Sequence, residues 1–133
     1  MAATLLLAAC SSGYTVTVKP LPTPAATELS AAAQALRALD QASGATTESA
    51  DAYDQAFAAL AARCVEQPWE LKAEARSAVA RLKAFGSKTQ THLTVVRAIA
   101  AAISPADPRV NCVPYFGIYV RYVEAQQGTG TIH

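Results

Sequence analysis

Cys10, Cys64 and Cys112 offer the most chemistry in this chain. A thiolate is a nucleophile, a soft metal ligand and one half of a disulfide. Cys10 follows Leu7-Ala8-Ala9 at the end of the apolar run Thr4–Ala9, and Ser11-Ser12-Gly13 come directly after it. The other candidates are weaker. Glu66, Glu70 and Glu74 have helical spacing and are chemically able to act as acid and base, but Lys or Arg lies close to each, which favours a solvated face. The histidines are His92 and His133. His92 has no ligand partner nearby in sequence and reads as a capped surface residue at a helix start. Cys-x-x-Cys spacing, which a structural zinc site would use, is absent. There is also no Gly-x-Ser-x-Gly elbow and no phosphate-cradling glycine loop. The residues therefore predict no catalytic, cofactor-binding or metal constellation, and a protein that binds rather than catalyses.

The stretch Leu7-Ala8-Ala9-Cys10 resembles the lipobox of bacterial membrane lipoproteins. Small residues precede the cut in such signals, and the cysteine becomes the acylated first residue of the mature protein. The resemblance covers only the start of the chain. It implies that residues 1–9 are a signal peptide and that Cys10 carries diacylglyceryl and a fatty acyl group such as palmitate. It places the protein on the extracytoplasmic face of the cell membrane or outer membrane. The run is too short to span a bilayer, which takes about 20 apolar residues. Two or three acyl chains, in contrast, make a firm tether. Met1-Ala2-Ala3 lacks the positive start of a secretory signal, so the true start is expected upstream of Met1 or the chain is trimmed. The competing reading is a buried helix start followed by a Ser-Gly turn.

Three cysteines are an odd count for an exported protein. The lipobox resemblance accounts for Cys10 and leaves Cys64 with Cys112. Outside the cytoplasm that pair is expected to be oxidised. Closing a loop of this length contributes about 4 kcal/mol on the chain-entropy model. Two separate buried thiols are the alternative.

The elements that must position these residues read as helices. The chain has 133 residues, 52% hydrophobic, and much of that share is alanine. Alanine favours helix and buries little area, so one small all-α domain is expected, a bundle of four to five helices. A net charge of +1 gives no electrostatic case for nucleic acid. Residues 10–26 read as a lipidated cysteine and Pro-rich tether, because Pro20, Pro22 and Pro24 forbid helix. The helical domain spans 27–127.

Its first helix is expected at Glu28–Ser43, capped by Thr27 and stopped by Gly44, with Leu29, Leu36 and Leu39 on one stripe. The second starts after Thr47 or Ser49 and runs to about Val65, with Tyr53, Phe57, Leu60 and Cys64 inside. The third follows Pro68 and buries Leu71, Ala75, Ala78, Leu82 and Phe85 before Gly86. The fourth spans Gln90–Ser104, with Leu93, Val96, Ile99 or Ala100, and Ile103 inside. Pro105 and Pro108 then break the chain. Tyr115–Gln127 fits a strand by its β-branched and aromatic residues, and a helix by context and by Val-Glu-Ala-Gln-Gln; helix is the reading taken. In the helix reading Tyr115, Tyr119 and Tyr122 form one stripe. Residues 128–133 read as a flexible tail.

Charge is unevenly placed. Glu48, Asp51 and Asp54 cluster, and Lys72, Arg76, Arg81, Lys83 and Lys88 form a basic stretch. Acids at helix starts and bases toward helix ends explain both; a basic patch for anionic lipid or phosphate is the sharper alternative. Trp69 and the tyrosines divide similarly. Core packing, or a lid over the disulfide, is the plain reading of Trp69. A partner contact through Trp69, Tyr115 and Tyr119 is the functional one. The expected function is a lipid-anchored envelope protein that binds another envelope protein, of inhibitor, immunity/exclusion or scaffold type. The alternatives are a bundle that carries a ligand or holds an enzyme site between helices, and an unanchored helical protein with a misread start.

Overall fold

The computed structural model describes residues 23–106 and 108–131, with side chains up to 127. The lipobox, Cys10 and most of the expected tether lie outside the described residues. Five helices are described: α1 (Ala26–Ala42), α2 (Ala50–Ala61), α3 (Pro68–Phe85), α4 (His92–Ala102) and α5 (Val113–Thr131). The protein is a small all-α fold, and none of these helices is long and apolar enough to cross a membrane.

Local sequence sets most of the helix ends. Ser49 caps α2 by accepting from the Ala52 amide. Gln67 and Glu70 form a capping box at α3, with Pro68 in the first helical position. Thr91 and Thr94 form another at α4. Gly86 ends α3 at φ +109°, a left-handed conformation that costs a side-chain-bearing residue dearly. Thr27 does not cap α1. The helix starts two residues earlier, after Ala25, which has no capping side chain. Helix α2 stops at Ala61 rather than near Val65, because the chain must turn there to reach Val110: the Val65 amide bonds the Val110 carbonyl, and the Val110 amide bonds the Arg63 carbonyl, both at 2.9 Å.

The helices pack in an order that follows their apolar faces. α1 and α2 form an antiparallel hairpin, α3 packs on α5 and α1, and α4 touches all four others. That central place explains its composition. His92, Leu93, Val95, Val96, Ile99 and Ala100 are all buried, so little of its circumference is polar. Full burial of each large side chain such as Leu36, Phe57, Leu60, Leu82 or Ile99 contributes about 1.5–3 kcal/mol.

The segment 115–127 is helical, and the reason is partnership. The described residues contain a single isolated bridge, Cys64 with Val110, and no strand onto which another could add. The inward stripe of α5 is Phe116, Val120 and Val123. This corrects the expected tyrosine stripe: Tyr115 and Tyr119 are half-buried against the core, and Tyr122 is exposed. The α5 backbone stays helical through Gly128 to Thr131, past the residue at which the sequence suggested a tail. Phe85 is also exposed rather than inward, because α3 turns Val79 and Leu82 to the core and Phe85 falls at the last position before Gly86.

Candidate functional site

The largest departure from the sequence reading is at Asp40 and His92. The expectation of a surface histidine fails: His92 is 5% exposed and Asp40 is 1% exposed. Asp40 follows Ala32, Ala33 and Leu36 on the inward face of α1, so helical periodicity carries its carboxylate into the core. There it meets the N-terminus of α4. Its Oδ1 accepts from the His92 amide at 3.0 Å and sits 2.6 Å from His92 Nδ1, while Oδ2 accepts from the Tyr53 hydroxyl at 2.7 Å and lies 3.4 Å from the Leu93 amide. Thr91 Oγ1 takes the Thr94 amide at 3.2 Å. The first three amides of α4 are thus satisfied by one buried carboxylate and one hydroxyl, and the negative charge lies at the positive end of the helix.

Burial alone pushes the Asp40 carboxyl upward. The hydrogen bonds from the His92 ring and amide and from Tyr53 outweigh it, and hold the group below the ordinary carboxylate value. Burial, reinforced by the Asp40 charge, pushes the Tyr53 phenol well above its usual range. An ionised carboxylate only accepts, so His92 Nδ1 carries the hydrogen of this bond. Nε2 then has no partner among the described residues.

His92 lines a groove of about 460 Å³ between α1, α3 and α4, together with Leu39, Ala73, Arg76, Ser77, Val79, Ala80 and Lys83. A second hollow of about 350 Å³ shares Leu39 and Arg76 and adds Ala35, Ala38 and Lys72. The basic stretch therefore splits. Arg81 pairs with Glu124 on α5 at 3.1 Å. Lys72, Arg76 and Lys83 have no side-chain hydrogen bond or ion pair among the described residues and border the two hollows. Helix-end chemistry explains Lys83 in the last turn of α3, but not Lys72 and Arg76, which lie in its first half. In the groove, an imidazole oriented by a carboxylate resembles half of an acyl-transfer site. Ser77 shares the groove but makes no hydrogen bond with His92, so the arrangement suits binding an anion better than attacking an ester.

The acidic residues also have structural partners. Glu48 pairs with Arg97 at 2.6 Å, and that bond holds its carboxyl below the usual range. Asp54 accepts from Ser30 and Gln34. Glu66, Glu70 and Glu74 do not share one helix face as their spacing suggested: Glu66 precedes α3, Glu70 belongs to its capping box, and Glu74 lies along it. Cys64 and Cys112 are joined, with Cα atoms 5.4 Å apart. The Glu66 carboxylate sits beside this bridge and accepts from the Cys112 amide at 3.0 Å and the Val113 amide at 3.3 Å, which caps the start of α5. Cys64, Glu66 and Cys112 lie close enough to suggest a metal site, but the bridge occupies both sulfurs and the α5 amides occupy the carboxylate.

Of the three residues predicted to contact a partner, Tyr115 and Tyr119 sit one turn apart on α5 and Trp69 sits on α3. Trp69 is 67% exposed, at the first turn of α3, so it does not pack in the core. It borders a furrow of about 430 Å³ with Glu28, Ala31, Ala32, Gln67, Pro68 and Lys72. Tyr119 is half-buried and donates its hydroxyl to Gln90 at 2.7 Å, while Tyr115 packs on the core. Sequence reasoning missed Asp40 and its pairing with His92. The available signal was the inward stripe of α1, which places position 40 four residues after Leu36. Compared with protein-family models, curated proteins and solved structures, the chain finds no match.

Proposed function

We propose that this chain is a lipid-anchored envelope lipoprotein that works by binding another envelope protein, as an inhibitor, an immunity or exclusion factor, or a scaffold. Trp69 is the observation that carries the binding role. A tryptophan left largely in water at the rim of an alanine-lined furrow gains most when a partner covers it. The anchor is supported by cysteine economy: Cys64 and Cys112 take each other, and Cys10 in its lipobox-like setting is the remaining thiol. Photocrosslinking from position 69 in expressing cells is expected to give a discrete adduct, and crosslinking from the exposed Gln126 is not. Equal labelling from both positions, or none from either, would refute the assignment. For the anchor, Cys10→Ser is expected to release the protein from the membrane fraction. Unchanged partitioning of that variant overturns the lipid attachment.

A second reading, a ligand carrier with a site between helices, is favoured by a specific feature. His92 lines a groove bordered by Arg76 and Lys83, which have no ion-pair partner among the described residues.

A further inference from the structure

The groove of α1, α3 and α4 has a composition that selects its occupant. Its floor is apolar: Leu39, Ala73, Val79 and Ala80, continued by Ala35 and Ala38 in the adjoining hollow. Its border carries Arg76 and Lys83 without a counter-charge among the described residues. Alanine on both walls keeps the furrow open where larger side chains would fill it. The two hollows meet at Leu39 and Arg76, and the stretch of α3 from Lys72 to Lys83 that flanks them is about 16 Å long at the helical rise per residue. Each volume falls in the range of small-ligand sites, about 300–1,000 Å³.

His92 makes one end of the groove a built polar site rather than a surface patch. Its ring is almost wholly buried, its Nδ1 is fixed by Asp40, and its Nε2 has no partner among the described residues. The ring lines the same hollow that the Arg76 fork and the Lys83 ammonium border, and those two cations supply charge-assisted hydrogen bonds to an oxyanion held there. The opposite direction along the groove offers apolar surface and the aliphatic stem of Lys72.

From this we infer that the groove binds a single-chain anionic amphiphile, a carboxylate or phosphate head on an alkyl chain, with the head at His92, Arg76 and Lys83 and the chain along Ala35, Ala38 and Leu39. The site is independent of Trp69 and of Cys10, so its failure leaves the proposed partner and tether untouched.

The test is titration of the full chain with dodecanoate below its micelle concentration, followed by the ¹⁵N signals of the His92 ring and the Arg76 side chain. Saturable one-to-one binding is expected, with both sites shifting. Dodecanol, which has the same chain without the charge, is expected to bind at least tenfold more weakly. The double variant Arg76→Gln/Lys83→Gln is expected to lose at least tenfold in affinity while its circular dichroism and thermal midpoint stay unchanged, since neither side chain has a hydrogen-bond or ion-pair partner to lose among the described residues. Equal binding of dodecanol, or equal affinity of the double variant, overturns the inference. Inorganic phosphate binding as tightly as dodecanoate reassigns the site to a free oxyanion and also overturns it. So does binding seen only with anionic phospholipid vesicles and never with the monomer, which would make this face a membrane contact.

Discussion

Replacement of Asp40 is the most demanding perturbation of this fold. One carboxylate accepts from the His92 and Leu93 amides, from His92 Nδ1 and from the Tyr53 hydroxyl, so Asp40→Ala removes the acceptor for four donors drawn from α2 and α4. A buried donor left without a partner costs about 1–3 kcal/mol. The four costs do not add, because Tyr53 and His92 can turn and water can enter the space that the carboxylate leaves. The loss expected here is about 3–5 kcal/mol, above the cost of one such donor and below the sum of four. Measured against a total of about 5–15 kcal/mol for a small domain, Asp40→Ala lies close to the limit of folding. Asp40→Asn keeps the shape and one acceptor oxygen but turns an NH₂ group toward donors, so about 2 kcal/mol is expected.

Denaturant unfolding of the oxidised protein measures both losses, and pH separates the charge from the shape. The Asp40 carboxyl lies below its ordinary value in the folded state. Its contribution is therefore complete above about pH 4, the unfolded-state range, and is lost as pH falls through the folded-state value. The gap in stability between the native protein and Asp40→Asn is accordingly expected to be widest near neutrality and to close in strong acid. A loss below 1 kcal/mol for Asp40→Ala, or a gap that stays constant from neutral pH to about pH 2, would refute the assignment of Asp40 as the ionised cap of α4.

Three further outcomes are expected. Reduction of Cys64–Cys112, or replacement of both by Ala, is expected to lower stability by about 4 kcal/mol for the 48-residue separation, read as a shift of the denaturation midpoint. Gly86→Ala meets no atom within 4 Å of the added Cβ, so only its φ of +109° opposes it, and a loss of about 1 kcal/mol without change in the unfolding slope is expected. Glu66→Ala frees the Cys112 and Val113 amides at the start of α5 and is expected to cost about 1 kcal/mol, with hydrogen exchange accelerating first at those two amides.

Much of this bundle was legible because its signals are local. Ser49, Pro68 and Gly86 mark ends within a few residues of the helices they bound, and Tyr53, Phe57, Leu60 and Cys64 keep their spacing on the face that is buried. The disulfide was legible for a different reason, since an odd cysteine count and a lipobox-like setting for one thiol leave one pair. What was not legible is tertiary. The Glu66 side chain looks like part of a helical carboxylate row until the fold brings Cys112 beside it, 46 positions away. Trp69 follows a proline at a helix start, a place compatible with either burial or exposure, and only the packing of α3 on α1 decides it.

Asp40 and His92 show why such a site escapes a linear reading. They lie 52 positions apart, and in isolation each has an ordinary local explanation: an acid near the end of one helix and a histidine at the start of another. An acid near the C-terminus of α1 opposes that helix's own dipole, which marks the position as unfavourable unless something else compensates. The compensation is the opposite dipole of α4, whose N-terminus α1 brings against the carboxylate. The conflict within one helix was thus a sequence-level pointer to a second. It also couples stability to the groove, because the same carboxylate that closes α4 orients the His92 ring that lines the groove. Asp40→Asn should therefore weaken dodecanoate binding in proportion to the disorder of the His92 ring, while Tyr53→Phe, which removes a donor from the other oxygen, should lower stability by about 1 kcal/mol and leave binding intact. Titrating both variants under conditions where each is fully folded checks this; a binding loss in Tyr53→Phe equal to that in Asp40→Asn would show that ring orientation is not what links the cap to the groove.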